Sequence, residues 1–223
     1  MKKRFVLIVP LCLALMQSLA AQEVRKYEFG ASAAYGIGLG KETPNNAQFG
    51  LSAGYKINEH VSAGVGFGYR YSGGVFLPSK LENVIITTKQ SHAFRPFLYG
   101  RYDFLPEKKW TPFIGAKIGY AFFANSTANY NINPLALTPE GGIMYGNVDV
   151  SEYEYLKDLD HTVAIKGGIF GTIDLGVSRK IGRKGGAVSL GVSMEVQPMT
   201  FRYLNQTESR TGITIGPSIG FSF

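Results

Sequence analysis

From residue 27 onward the chain alternates apolar with small or polar residues at a period of two, in eight separate segments. The last is the cleanest. Between 211 and 223 the odd positions include Ile213, Ile215, Ile219, Phe221 and Phe223, while the even ones are Gly212, Thr214, Gly216, Ser218, Gly220 and Ser222. Successive side chains of a β-strand leave on opposite faces, so this period predicts strands with one apolar face. The other seven fall at about 27–39, 48–57, 61–72, 92–104, 111–124, 162–178 and 187–203. Within the fourth, Pro96 sits in the apolar row without an amide to donate, and is expected to mark a bulge or the strand's outer end. In the sixth, Val163, Ile165, Ile169, Ile173, Leu175 and Val177 oppose Lys166, Gly168, Phe170, Thr172 and Asp174.

The connections alternate as well. Residues 58–60, 105–110 and 179–186 make short polar turns, whereas 41–47, 73–91, 125–161 and 204–210 lie at the other end and include the two long loops. The apolar faces are continuous hydrocarbon, and the opposite faces carry glycine with Glu28, Lys56, Arg70, Arg95, Arg101, Asp103, Lys117, Lys166, Asp174 and Glu195. A soluble barrel would put its apolar side inside. Here the charged face must be inside, so the fold predicted is all-β. It is an eight-stranded antiparallel up-and-down transmembrane β-barrel with short periplasmic turns and longer extracellular loops.

Eight strands enclose a space that side chains just fill. Charges held there need partners, so the ten charged residues are expected to form a lumenal ion-pair network that plugs the barrel. The alternative is a narrow, porin-like, cation-excluding pore. Amphipathic rings favour the headgroup level. Tyr27, Tyr55, Tyr102 and Trp110 are therefore assigned to a periplasmic girdle, and Tyr69, Tyr71, Tyr120, Phe201 and Tyr203 to an outer one.

Composition agrees with this reading. Only 17% of residues are charged, against 13% aromatic and 28 glycines. Residues 1–21, with Lys2, Lys3 and Arg4 before an apolar run and small residues at 18–21, are read as a cleaved secretory signal peptide. Residues 22–223 are then the barrel domain, with no appended periplasmic domain expected. Cys12, the sole cysteine, lies in the leader, so the mature chain is expected to hold no disulfide or cysteine metal site. Loss of the three basic leader residues lowers the formal net charge from +7 to +4. No cluster of basic and aromatic residues points to nucleic acid.

The basic leader, the eight alternating segments and the closing GPSIGFSF resemble the small bacterial outer-membrane β-barrel family, the OmpA/OmpX-like and opacity-type eight-stranded proteins. The resemblance covers residues 22–223. It implies residence in the outer membrane of a Gram-negative bacterium, contact with outer-membrane lipid and insertion by the barrel-assembly machinery. Phe221 and Phe223 would then be the C-terminal assembly signal. It specifies architecture more closely than role, since the family spans adhesins, surface-binding proteins, envelope stabilisers and barrel subunits of secretion machineries.

Catalysis finds little support in the residues. A hydrolase needs histidine, serine and a carboxylate in reach of one another. His60 sits in a periplasmic turn, and His92 and His161 flank outer strand ends. Ser91 and His92, as strand neighbours, face opposite ways. No enzyme, cofactor or metal site is expected. The long loop 125–161 carries Glu140, Asp149, Glu152, Glu154, Asp158 and Asp160 against Lys157, with tyrosines among them. Tyr145, Tyr153 and Tyr155 are the candidate contacts for an extracellular protein or glycan. Residues 83–88, NVIITT, are expected to extend strands three and four beyond the membrane and to offer a free edge. The function expected is a non-catalytic structural or surface-binding role through the extracellular loops. The alternatives are a barrel subunit of a secretion or envelope-assembly complex, the narrow pore, and a lipid A-modifying enzyme.

Overall fold

The computed structural model describes residues 26–40, 43–77, 84–132, 162–181 and 186–223. Thirteen strands follow one another: β1 (Tyr27–Gly38), β2 (Asn46–Lys56), β3 (Val61–Ser72), β4 (Phe76–Leu77), β5 (Val84–Thr88), β6 (Ser91–Asp103) and β7 (Trp110–Tyr120). Then come β8 (Phe122–Phe123), β9 (Ser126–Ile132), β10 (Thr162–Lys166), β11 (Ile169–Ile181), β12 (Gly186–Tyr203) and β13 (Gln206–Ser222). Eight of them close into an antiparallel ring, β1-β2-β3-β6-β7-β11-β12-β13, with β13 pairing back onto β1 through Ala31 and Phe221. Closure leaves no sheet edge within the ring, the condition for strands to cross hydrocarbon.

Alternation sorts the two faces as the sequence implies. Leu51, Val65, Phe67, Leu98, Ile118, Leu175, Leu190 and Val192 are all about half exposed on the outside of the cylinder. An apolar belt of this extent is incompatible with water, so the barrel spans a membrane. Pro96 causes no bulge. β6 runs unbroken through it, and the interruption falls on the neighbouring strand at Ala121, between β7 and β8.

The remaining strands continue the barrel upward on one side. β4, β5, β9 and β10 join the tall upper halves of β12 and β13 in the order β13-β12-β10-β9-β5-β4. Inside this wall, Val75, Leu77, Ile86, Ala128, Val163, Ile165, Met199, Phe201 and Tyr203 form an apolar cluster. Arg210 on β13 donates from Nη1 to the Phe76 carbonyl at 2.7 Å, tying the two ends of the wall together.

Four expectations change here. The NVIITT segment does extend the sheet, as β5, but it is not a free edge: β4 pairs on one side and β9 on the other. The connection expected at 204–210 is a two-residue turn. Leu204 and Asn205 have φ of 43° and 57°, and Tyr203 pairs directly with Gln206, the geometry of a tight type I′ hairpin. Phe201 and Tyr203 do not belong to the outer girdle. β12 holds its register without a slip from Ala187 to Tyr203, so they share the inward face of Glu195 and Gln197, and they are 1% and 2% exposed.

Lys166 is the fourth. β10 pairs with β12 through Lys166 and Thr200, but β11 pairs through Gly171 and Val196, a slip of one residue across Gly167 and Gly168. A one-residue slip exchanges the faces of a strand. Val163 and Ile165 therefore turn into the apolar cluster, and Lys166 turns out to the surface. Gly167 is required at this bulge, because a Cβ there would overlap the Ala121 carbonyl oxygen.

Candidate functional site

The lumen is built in layers. In the outermost, Glu195 lies between two arginines, with Arg70 Nη1 at 2.8 Å from Oε1 and Arg95 Nη2 at 2.5 Å from Oε2. All three are no more than 3% exposed. Uncharged neighbours complete the set. Arg70 Nη1 also donates to Gln197 Oε1, its Nε donates to Ser72, and Thr172 donates to Glu195. Arg95 Nη1 donates to Gln48, which donates to Asn46 in turn. The Arg95 guanidinium lies over the Phe170 ring at 3.7 Å. The layer sets two cations against one anion, so it holds a net positive charge.

Below it, Lys117 pairs with Asp174 at 2.8 Å, and Arg101 pairs with Asp103 at 2.8 Å while covering Phe113. Gly66 leaves the room that the Phe97 ring fills, since a Cβ there would overlap it. The periplasmic half is not filled. A mouth cavity of about 340 Å³ is lined by Glu28, Lys56, Glu59, Arg101 and Asp103. Above it lie cavities of about 120 Å³ and about 40 Å³, the last bounded by Arg95, Lys117 and Asp174. The smallest holds about one water. Arg95 Nε and Asp174 Oδ1, which lack protein partners, belong to residues in its wall.

Of the ten charges assigned to the lumen, seven come together in these pairs: Arg70, Arg95, Glu195, Lys117, Asp174, Arg101 and Asp103. Glu28 and Lys56 stand in the mouth without an ion pair among the described residues. Lys166 lies outside. Asn46, Gln48, Ser72, Thr172 and Gln197 join the network beyond the charges that the sequence points to. Their signal was present: each occupies an inward position on a strand that also carries, or pairs with, a lumenal charge.

At the rims, Tyr27 and Tyr55 meet edge to face at 5.6 Å, and Tyr102 packs on His60 and Phe104. Trp110 is exposed beneath the Arg179 guanidinium. Phe221 and Phe223 are exposed on the outer surface. At the upper rim, Tyr69 and Tyr71 surround His92, the Tyr69 hydroxyl against Nδ1, and Tyr120 packs on Phe122. Ser91 is buried on the inner face while His92 is exposed on the outer one, so they make no catalytic pair. His161, Tyr145, Tyr153 and Tyr155 lie outside the described residues.

In the wall above the barrel, Arg210 Nε holds Glu208 Oε1 at 2.6 Å, and the Tyr203 hydroxyl donates to Glu208 Oε2 at 3.4 Å. Burial first, then the Glu208 charge and this hydrogen bond, push the Tyr203 hydroxyl up to about 12.

Neither a protein-family model nor a curated protein matches the sequence. Among solved structures the chain is similar to neisserial surface protein A, at 13% identity over 88% of this chain and 96% of that one, with a TM-score of 0.45. It is also similar to the N-terminal β-barrel domain of Pseudomonas aeruginosa OprF, at 14% identity over 88% and 97%, TM-score 0.39. A third is the outer membrane enzyme PagL, at 17% identity over 87% and 98%, TM-score 0.42. The ring of eight strands, its hydrocarbon-facing exterior and its charged lumen make this chain a small transmembrane β-barrel.

Proposed function

We propose that the protein is a non-conducting, non-catalytic barrel of the Gram-negative outer membrane that acts through the sheet and loops above its outer rim. One observation carries the reading. The lumen is blocked by the buried Arg70–Glu195–Arg95 layer, with the apolar cluster above it. A continuous water path past such a layer would need both ion pairs to part. The six-stranded wall, by contrast, is a paired scaffold in which the segment 133–161, acidic and tyrosine-bearing in sequence, connects β9 to β10. Rigid scaffolds that carry long loops are where recognition is commonly placed.

The test displays the full chain on a Gram-negative host and measures adhesion of cells to arrays of host-matrix proteins and glycans. Replacing residues 133–161 with a short Gly-Ser linker should abolish adhesion while the barrel keeps its heat-modifiable migration. Equal adhesion by the linker variant, or steady channel conductance of the intact barrel in planar bilayers, would refute this role.

A further inference from the structure

The bulge at Gly167 and Gly168 places a cation where the belt of hydrocarbon-facing residues stops. On the outer surface, Ile169, Val196 and Ile213 are the last large apolar residues of their strands, with Pro198 one step further out on β12. Beyond them the outward positions are Lys166 on β10, Thr200 and Arg202 above Pro198 on β12, and Thr211, Ser209 and Thr207 on β13. Lys166 pairs across the ladder with Thr200, and Ala164 with Arg202. The two cations are thus diagonal neighbours on one face of adjacent strands, with Cβ atoms about 7–8 Å apart. The Thr200 hydroxyl lies on the same face, 3.0 Å from that of Ser209.

Both cations are exposed, and neither has an ion pair among the described residues. Lys89, also exposed, adds a third at the same end of the barrel. The acidic residues described in this upper region, Glu195 and Glu208, are on the inner face and already held by arginines. The described outer surface just above the belt is therefore basic and hydroxyl-rich, with no carboxylate to neutralise it. That level is the hydrocarbon boundary, where lipid phosphates sit.

We propose that Lys166 and Arg202, with the Thr200 and Ser209 hydroxyls, form a binding site for the phosphorylated head group of an outer-leaflet lipid. The required Gly167 makes the site part of the fold, because without the slip Lys166 would face the lumen. The inference rests on the position of the apolar belt and is independent of any extracellular ligand.

The experiment uses the barrel refolded in detergent and counts bound lipid by native mass spectrometry. The probes are lipid A carrying two phosphates and the same lipid A with its phosphates removed. The intact barrel should retain the phosphorylated form about tenfold better or more. Lys166→Gln with Arg202→Gln should erase the preference, and Lys108→Gln with Lys109→Gln at the opposite rim should leave it intact. Lys166→Arg with Arg202→Lys, which keeps both charges, should retain it. A preference that survives loss of both cations, or that falls equally in the opposite-rim variant, would overturn the site. Displacement of the lipid by inorganic phosphate at equal concentration would also overturn it, assigning the cations to a free anion.

Discussion

Glu195 is the residue on which the interior turns, because one carboxylate serves two guanidinium groups at 2.8 and 2.5 Å. Removing the shared partner of buried charges costs about 3–5 kcal/mol. Glu195→Ala is therefore expected to lower the unfolding free energy, read from urea titration in lipid vesicles, by that much, and Arg70→Ala by less, since Arg95 still holds the carboxylate. Tyr203 gives a second expectation. Its folded value of about 12 exceeds the ordinary 10, so the native state holds the proton more tightly. Its contribution is whole below pH 10 and lost as pH rises between about 10 and 12. Absorbance titration of tyrosinate should show a late-ionising component that shrinks by one group in Tyr203→Phe. Which residues face inward was legible along strands that hold register, as with Arg70, Arg95 and Glu195. Which of them meet was not, since Arg70 and Glu195 are 125 positions apart, and their pairing depends on the stagger of strands around the ring.

At the scale of elements, the bulge in the sixth barrel strand shows why register is harder to read than strand existence. Val163, Ile165 and Ile169 are all apolar and all odd-numbered, so nothing in their order marks a change of face. The marker was Gly167 with Gly168. Gly167→Ala must displace the Ala121 backbone and is expected to cost about 1–3 kcal/mol, seen as reduced refolding yield and an earlier thermal transition. Gly171→Ala, where a Cβ would meet nothing, is the control and should change little. The last hairpin was obscured for a different reason. Gln206, Thr207, Glu208, Ser209 and Arg210 are polar on both faces because the strand has left the hydrocarbon, and polarity there looks the same as a loop. Leu204 added to this by taking a left-handed conformation that favours glycine or asparagine. β5 had the strand-forming composition, but its two partners depend on distant segments and were not visible in its own five letters.

For the molecule as a whole, the periplasmic half of the lumen holds cavities, while the outer half carries the buried ionic layer and, above it, the apolar cluster. Breaking the ionic layer alone should therefore not open a channel. Arg70→Ala with Arg95→Ala should leave liposomes impermeable to small sugars in swelling assays, because Met199, Phe201 and Tyr203 remain above. Sustained swelling would show that the apolar cluster does not seal.

The two sides of the barrel differ in height. β1 leaves β13 near Thr214, whereas β13 begins at Gln206, a difference of about 26 Å of strand at ~3.3 Å per residue. Surface sugar chains shorter than this difference would cover the low side and leave the high one projecting. Among the described strands, β9 is level with the Leu204 turn at Thr127 and runs on to Ile132 beside Val84 of β5, so the tip of that pair, rather than the turn, is what an approaching macromolecule would touch first.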